Sequence, residues 1–311
     1  MKAVVYNKKA SPDKLIFCDI GKPVAGDNEL LIKIKAVSLN AADYRSMKMG
    51  LIPKRKIFGA DISGIVESTG KDITRFKPGD EVMADLADFG FGGLAEYVSV
   101  PERAAIFKPS EISFEDAATL PLAALTALQA LRDKGCIAKG RKVLIVGCSG
   151  GVGTFAIQLA KYFDAEVTGV CSTANIQQSL SLGADFVIDY TKEDFLKSGK
   201  RYNLILAING NYPILAYRKC LTPGGIYVMV GGSLSQIFKS LVFGRLLSFG
   251  SRKMRSLAAK ANGDDLKFLA SLLENGRIKP VVDRKYTLDK APEAMTYLSQ
   301  GHSTGKVIIT I

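Results

Sequence analysis

The feature that most restricts the fold is a strand, a glycine-rich turn and a helix that follow one another without a gap. The strand pattern covers 142–146, the turn 147–153 reads Gly-Cys-Ser-Gly-Gly-Val-Gly, and a helical pattern covers 154–163. Glycines at such a turn let backbone N–H groups approach a pyrophosphate, and the helix N-terminus contributes partial positive charge. A glycine triplet alone also fits a plain βα turn, so its surroundings decide between the two.

The chain around this turn alternates between strands and helices. The alternation begins with a helical pattern over 123–131 and continues to a helix near 264–275. It predicts an α/β fold with a doubly wound parallel sheet and helices on both faces, which is the setting of a dinucleotide site. The expected strands are apolar runs rich in β-branched residues, namely 142–147, 166–171, 186–189, 203–208 and 226–230.

Residues 1–120 follow a different, β-rich pattern. Short alternating segments are separated by Gly, Pro and Asp, and a β pattern returns at 306–311. At 311 residues the chain exceeds what one hydrophobic core usually supports. We therefore predict a discontinuous catalytic domain, 1–122 with 278–311, and a dinucleotide-binding domain, 123–277, with a ligand cleft between them.

The end of the second strand of the dinucleotide-binding domain bears on the choice of cofactor. In NAD-selective sites an acid about 20 residues after the glycine turn binds the ribose hydroxyl, and it would repel a 2′-phosphate. Here residues 170–175 read Val-Cys-Ser-Thr-Ala-Asn, with no acid and no basic residue. NADP(H) is therefore the expected cofactor, although no basic side chain in this stretch selects it over NAD(H).

Composition and charge argue against several other classes of protein. No apolar stretch reaches the roughly 18 to 20 residues that span a bilayer, and the N-terminus lacks the pattern of a secretory signal. The net charge of +12 attracts anions such as phosphorylated cofactors. A nucleic-acid binder would also be basic, but here the basic residues are dispersed and no recognition motif is present. We expect a cytoplasmic protein without an integral membrane segment or a nucleic-acid partner.

One segment, 235–260, is apolar and basic at once and contains no acid. Three interpretations stay open: a helical segment that covers the sheet, a lid over the substrate pocket, or a peripheral contact with an anionic membrane. The five cysteines are scattered without short spacing, which favours reduced, mostly buried thiols.

Several motifs, in order along nearly the whole chain, resemble the medium-chain dehydrogenase/reductase superfamily. Within it the sequence is similar to the zinc-independent quinone oxidoreductase branch, and its C-terminal part to chloroplast-envelope quinone oxidoreductase homologues. The resemblance implies a Rossmann domain, a β-rich GroES-like catalytic domain and a homodimer. The motifs are Asn40-Ala41-Ala42-Asp43, Gly59-Ala60-Asp61-Ile62-Ser63-Gly64, Lys77-Pro78-Gly79-Asp80, Ser149-Gly150-Gly151-Val152-Gly153, Leu182-Gly183-Ala184-Asp185 and Gly305-Lys306-Val307.

The zinc ligands of alcohol dehydrogenases in the same superfamily are replaced. Those enzymes carry a Cys where this chain has Asn40, and the His of a Gly-His-Glu motif where it has Gly59-Ala60-Asp61. A catalytic zinc needs about three nitrogen, sulfur or carboxylate ligands, whereas the chain has one histidine and no cysteine between Cys18 and Cys136. We therefore expect no metal. Without a Lewis acid, the oxidation of simple alcohols loses its main electrostatic assistance. Reduction of a quinone or an enone stays feasible, because hydrogen-bond donors can stabilise the delocalised anion that forms.

The resemblance also implies roles for individual residues. The cofactor phosphates would be held by Ser149, Gly150, Gly151, Val152 and Gly153, and the 2′-phosphate by Ser172 and Tyr190. The basic residue that relatives have near Ala174 is absent. Residues expected near the rest of the cofactor are Asn40 and Thr126 beside the nicotinamide, Asn209 and Gly231 at strand ends, and Lys306 where the chain closes over the cofactor, with a solvated lysine as its alternative.

For proton delivery we favour Tyr44, with Asp43 as its orienting partner. Solvent is the alternative acid, in which case Tyr44 only shapes the pocket. His302 lies in a Gln300-Gly301-His302-Ser303 turn and is expected at the surface.

These residues predict an NADPH-dependent oxidoreductase that reduces quinones or α,β-unsaturated carbonyl compounds. An NAD(P)-linked alcohol or aldehyde dehydrogenase is one alternative. A non-catalytic NADPH-binding redox sensor, with or without nucleic acid, is another.

Overall fold

The computed structural model describes residues 1–6, 11–208, 210, 212–231, 248 and 250–311. The chain divides into two compact units, 1–125 with 260–311 and 126–259. The strands are β1 Lys2–Tyr6, β2 Leu15–Asp19, β3 Glu29–Leu39, β4 Asp61–Thr69, β5 Glu81–Asp85, β6 Tyr97–Pro101, β7 Ala105–Phe107, β8 Lys142–Val146, β9 Glu166–Cys171, β10 Phe186–Asp189, β11 Tyr202–Ile208, β12 Leu221–Val230, β13 Lys253–Ser256, β14 Val282–Thr287 and β15 Lys306–Thr310.

The α-helices of the described residues are short apart from two of twelve residues. They are α1 Ala41–Lys48, α2 Phe114–Thr119, α3 Leu125–Gln129, α4 Gly151–Tyr162, α5 Ile176–Ser181, α6 Ile214–Lys219, α7 Gly263–Glu274 and α8 Ala291–Ser299. Short 3-10 turns cover Pro12–Lys14, Ala87–Phe89, Glu102–Ala104, Thr173–Asn175, Phe195–Lys197 and Leu288–Lys290.

The helix predicted over 123–131 is interrupted by wide turns. A π-helical turn, Leu120–Ala124, precedes α3 and another, Ala130–Lys134, follows it. Pro121 lies in the first of them, and because proline has no N–H to donate, it favours such a departure from α geometry.

The first unit contains a seven-stranded sheet in the order β14-β15-β3-β4-β5-β7, with β6 paired to β3, and a two-stranded sheet of β1 and β2. Most pairs are antiparallel, and β14 and β15 are parallel. β15 returns from far along the chain to pair with β3, so that Ile309 lies opposite Val37. These strands enclose an apolar core that includes Phe58, Ile62 and Met295. The β-rich N-terminal part and the returning C-terminal strand are confirmed.

The second unit is a six-stranded sheet in the order β10-β9-β8-β11-β12-β13. Every neighbouring pair in it is parallel. This is the doubly wound arrangement in which the chain starts in the middle and winds outward in both directions. Ile205 of β11 lies between Leu144 and Tyr227 and is fully buried, as expected for a strand covered on both faces. The predicted Rossmann sheet is confirmed.

The second domain boundary lies earlier than the sequence predicted. Helix α7 was assigned to the dinucleotide-binding domain, which was to end at 277, but it belongs to the first unit. It contacts β7 and the turn Leu120–Ala124, both in that unit. Its buried face includes Leu266 and Leu269.

The apolar and basic segment 235–260 is only partly described, because 235–247 and 249 lie outside the described residues. Its described part forms β13 rather than a helix, and β13 pairs with β12. The Arg255 guanidinium donates to the carbonyl of Lys134 at 2.5 Å. Among the described residues no helix is both long and apolar enough to cross a bilayer.

Candidate active site

The glycine turn after β8 is packed too closely for side chains at two of its positions. Gly147 has a φ of +82°, and a Cβ there would lie 2.2 Å from the carbonyl oxygen of Ile208. A Cβ on Gly153 would lie 2.2 Å from the carbonyl oxygen of Gly147. The turn and the first turn of α4 therefore touch backbone to backbone, and a side chain at either position would separate them.

Helix α4 begins with free donors. Its N-cap is Gly150, which has no side chain that could accept the N–H groups of the first turn. Thr154 is the first residue to donate back, to the carbonyl of Gly150 at 2.9 Å. The amides of Gly151, Val152 and Gly153 precede that bond, and together with the helix dipole they suit an anion.

Two serines predicted to contact cofactor phosphates are connected by one amide. The Nδ2 of Asn175 lies 3.2 Å from Ser149 Oγ and 3.2 Å from Ser172 Oγ. Ser149 belongs to the turn after β8 and Ser172 follows β9, so Asn175 connects the C-terminal ends of two neighbouring strands. Sequence reasoning did not select Asn175, although its place three residues after Ser172 and its amide were visible.

A third strand end contributes charge. Asp189, the last residue of β10, accepts hydrogen bonds from the hydroxyls of Thr173 and Thr191, and these hydrogen bonds lower its pKa. Tyr190 follows it and is exposed. Lys192 is also exposed, with its Nζ 3.8 Å from Asp189 Oδ2. Sequence reasoning overlooked Lys192 because it examined only the end of β9 for a basic residue.

The first unit holds a buried polar cluster of Asn40, Asp61 and Lys306. The side chain of Lys306 is 2% exposed. Its Nζ donates to Asn40 Oδ1 at 2.5 Å and lies 3.4 Å from Asp61 Oδ2. The Nδ2 of Asn40 donates to Asp61 Oδ2 at 2.8 Å, and Asp61 Oδ1 accepts the Leu122 amide at 3.0 Å. The alternative of a solvated Lys306 is therefore wrong.

Burial dominates the electrostatics of this cluster. It raises the pKa of Asp61 to about 6, against the attraction of Lys306, and it lowers the pKa of Lys306. Asp85 lies opposite Asp61 across the β4–β5 ladder. Burial first and the Asp61 charge second raise the pKa of Asp85 to about 7. Removing ionised groups from water is costly, so burial disfavours a second ionised carboxylate in this cluster.

Asp43 has a different role from the predicted one. Its Oδ2 accepts the amide of Asn40 at 2.8 Å and its Oδ1 accepts the amide of Gly59 at 3.0 Å. Asp43 is the third residue of α1, so the first of these bonds is half of a capping box. Both oxygens are thus used to hold backbone, and no bond from Tyr44 is found among the described contacts. Burial raises the pKa of Asp43 to about 6.

Tyr44 is half-buried at the side of α1. Its ring packs against the core of the first unit, and the charged groups of Arg45 and Lys48 lie 5.7 and 5.4 Å from the ring centre. The proposed donor therefore stands beside positive charge, without the carboxylate that was expected to orient it.

The remaining predicted residues fall into three groups. Thr126, in α3, and Gly231, which follows β12 with a φ of +73°, are both partly exposed. Asn209 lies outside the described residues. His302 is exposed, as the sequence predicted, and lies outside regular secondary structure.

Within the described part of the chain, no group of three or more His, Cys, Asp or Glu side chains is arranged to hold a metal ion.

Comparisons with known proteins agree with this architecture. Residues 26–110 match the family model for the alcohol dehydrogenase GroES-like domain, and residues 182–309 match the model for zinc-binding dehydrogenases. The chain is 35% identical over 303 residues to quinone-oxidoreductase QR1, chloroplastic, of Triphysaria versicolor, which covers 92% of this chain and 91% of that protein.

A second relative and one solved structure are similar to the chain over almost its whole length. The NADPH-dependent alkenal/one oxidoreductase, chloroplastic, of Arabidopsis thaliana is 33% identical over 99% of this chain and 79% of its own. The solved structure of the quinone oxidoreductase from Coxiella burnetii superimposes with a TM-score of 0.91 at 30% identity, over 100% of this chain and 99% of that one.

The buried carboxyl of Asp85 predicts a pH-dependent stability difference. Asp85 is 4% exposed and stays protonated in the folded chain up to about pH 7, whereas in the unfolded chain it ionises near pH 3.9. The stability that it contributes is thus complete below its unfolded pKa and is lost as the pH rises through 7. Relative to the parent chain, Asp85→Asn should gain about 1–3 kcal/mol in free energy of unfolding between about pH 5 and pH 8.

Urea unfolding at each pH measures this difference. The exposed Asp72→Asn is the matched control and should show a constant difference. A constant difference for Asp85→Asn as well would contradict the assignment.

Proposed function

This chain belongs to the medium-chain dehydrogenase/reductase family, and we propose that it uses NADPH to reduce quinones or α,β-unsaturated carbonyl compounds by hydride transfer, without a catalytic zinc ion. The single observation that carries the proposal is the start of α4 beside Gly147 and Gly153, where the glycine N-cap leaves the first backbone amides without a side-chain acceptor. The names of the relatives, a quinone oxidoreductase and an alkenal/one oxidoreductase, support the acceptor class.

The phosphate-binding groups follow from the strand ends. The amides of Gly151, Val152 and Gly153, preceded by Gly150, would hold the pyrophosphate, and the hydroxyl of Ser149 would assist. When bound, the nicotinamide supplies the hydride. Asn40, Thr126, Asn209, Gly231 and Lys306 stay proposed contacts of the cofactor from the sequence.

For the 2′-phosphate we propose Ser172, Tyr190 and Lys192. Residues 172–175, which follow β9, include no acid. The side-chain amide of Asn175 lies 3.2 Å from the hydroxyl of Ser172 and orients it. Asp189 is the group that would disfavour a phosphate. Its charge is offset by the hydroxyls of Thr173 and Thr191 and by the ammonium of Lys192.

The proposal of zinc independence rests on Lys306. A buried ammonium donates to Asn40 Oδ1 and lies beside Asp61 Oδ2, the two positions that correspond to the zinc-site region of the alcohol dehydrogenases. A divalent cation at these atoms would be repelled by that ammonium, and an amide oxygen replaces the thiolate ligand. This donor set does not fit zinc, in spite of the description of the family model that matches 182–309.

The chemistry left to the protein is the stabilisation of the acceptor and one proton transfer. An enone that accepts hydride at its β-carbon becomes an enolate, and a proton at the α-carbon completes the reduction. A quinone that accepts hydride becomes a hydroquinone anion and also needs one proton. We propose Tyr44 as that donor, because it is a partly exposed phenol on α1, the helix that begins beside Asn40.

A cytoplasmic location, a homodimer and a peripheral membrane contact through 235–260 stay predictions. The relatives with chloroplastic names make a plastid the alternative location. The alcohol dehydrogenase and sensor alternatives are outcomes of the test that follows.

The first test combines turnover with cofactor binding. The protein should oxidise NADPH steadily with a naphthoquinone or a medium-chain enone, and Gly153→Ala should weaken NADPH binding at least about tenfold because its Cβ would push against Gly147. Gly263→Ala, also in the first turn of a helix but with its nearest neighbour at 3.7 Å, is the matched control and should bind normally. Isothermal titration calorimetry measures the affinity.

The alternatives give different results in the same assay. Stoichiometric zinc in elemental analysis together with alcohol oxidation would favour the dehydrogenase. Bound NADPH without turnover on any acceptor would favour the sensor.

Replacing Tyr44 tests proton delivery. Tyr44→Phe should lower kcat about 100-fold with little change in the KM for NADPH, because general acids contribute roughly that much. Tyr97→Phe, half-buried in the same unit, is the control. An unchanged kcat would assign the proton to solvent.

Replacing Lys192 tests the cofactor preference. Lys192→Ala should raise the KM for NADPH about two- to fivefold, the range of an exposed ion pair, and leave the KM for NADH unchanged. Lys139→Ala, exposed beside Asp164, is the matched control. Equal effects on both cofactors would exclude a contact with the 2′-phosphate.

A further inference from the structure

One cysteine of the glycine turn and the cysteine that ends β9 both contact the hydroxyl of Ser179. Cys148 Sγ is 3.3 Å from Ser179 Oγ, and the same hydroxyl is 3.6 Å from Cys171 Sγ. Cys148 is 0% and Cys171 2% exposed, and both are free thiols. Neither has a role in the function proposed above.

The backbone brings these two thiols together. Cys148 donates its amide to the carbonyl of Val170, the residue before Cys171, at 3.3 Å. Its sulfur lies over Gly169, where an added Cβ would be 2.8 Å from it, and Cys171 is two residues further along β9 on the same face. Cys148 lies two residues after β8, and its thiol contacts both Ser179 and the thiol of Cys171.

The two thiols differ in reactivity. A hydrogen bond with the Cys148 thiol lowers the pKa of Cys171, whereas the same contact and burial raise the pKa of Cys148. Since the thiolate is the reactive form, Cys171 is the attacking group and Cys148 the resolving group.

We propose that Cys148 and Cys171 are a redox modification site at which a small peroxide forms a reversible disulfide, and that this disulfide weakens NADPH binding. The effect on NADPH binding rests on the proposed function. The pair is buried, so the oxidant must be close to water in size, and hydrogen peroxide meets that requirement.

The chemistry is balanced by the peroxide. The Cys171 thiolate attacks one peroxide oxygen, the O–O bond breaks, and the products are a sulfenic acid and, after protonation, one water. The Cys148 sulfur then attacks the sulfenic sulfur, loses its proton and releases a second water as the S–S bond forms. Two thiols are oxidised by two electrons, and one hydrogen peroxide is reduced to two waters.

The effect on the cofactor follows from the neighbours of the two cysteines. Ser149 follows Cys148 and Ser172 follows Cys171, and Asn175 bonds to both serine hydroxyls. An S–S bond of about 2.05 Å is shorter than a hydrogen-bonded contact between two thiols, so it draws the two sulfurs together. The turn that would carry the pyrophosphate therefore shifts relative to the end of β9, and the amides and hydroxyls no longer match one set of phosphate positions.

The experiment treats the full-length protein with hydrogen peroxide and follows the disulfide and the affinity separately. Alkylation under denaturing conditions and peptide mass spectrometry should reveal a linked pair containing Cys148 and Cys171, two hydrogens lighter than the sum of the free peptides. Calorimetry should show NADPH affinity at least about tenfold lower than in reduced protein, and dithiothreitol should restore it.

Variants identify the thiols responsible. In Cys148→Ser and Cys171→Ser, peroxide should leave the NADPH affinity unchanged. Cys136→Ser is the matched control, because Cys136 is exposed and away from the turn, and it should behave like the parent chain. No linked peptide, or a linked peptide with unchanged affinity, would overturn the proposal. Reduced protein that fails to bind NADPH would contradict the proposed function instead, while the linked peptide would still decide whether the disulfide forms.

Discussion

The contact between the carbonyl of Gly147 and the Cα of Gly153 determines how the second unit can bind a ligand. It lets α4 begin directly at the end of β8, so that the first amides of the helix face the end of the sheet without a side chain between them. β9 lies next to β8 in the sheet and β10 next to β9, and their ends carry Ser172, Tyr190 and Lys192. One steric constraint on two residues thus sets where the helix amides that we assign to the pyrophosphate lie, and strand pairing sets the rest.

The first unit contains buried charged groups. An ammonium and three carboxyl groups lie within β4, β5, β15 and α1, largely away from water. Hydrogen bonds compensate part of this cost: Asp43 holds two backbone amides, Asp61 holds one amide and the side chain of Asn40, and Lys306 donates to Asn40. The remaining cost appears as raised carboxyl pKa values. Such a network fixes the side chain of Asn40 in one orientation, because each alternative rotamer would leave a buried group without a partner.

Local sequence patterns predicted the elements whose signals are local. The strand 166–171 and the strand 186–189 have the predicted bounds, since residue type and period suffice for these. Contacts between distant residues left no such signal. Lys306 follows a glycine, as many exposed lysines do. The residues near it in the chain do not predict its contacts with Asn40 and Asp61. The end of the dinucleotide-binding unit was misplaced for the same reason, because α7 has an ordinary amphipathic pattern and its partner, β7, lies far back in the chain.

The ion pair between Asp61 and Lys306 joins residues 245 positions apart, with the whole second unit encoded between them. At roughly 5–20 residues per second, a ribosome needs about 10–50 s to pass from one to the other. During that interval the parallel sheet can fold as a continuous unit. Residues 36–39 of β3 keep one side of their backbone unpaired until β15 has been synthesised. An open strand of this kind is a template for association with other chains. The nascent chain is therefore most exposed to aggregation, and most in need of a chaperone, between completion of the second unit and arrival of β15.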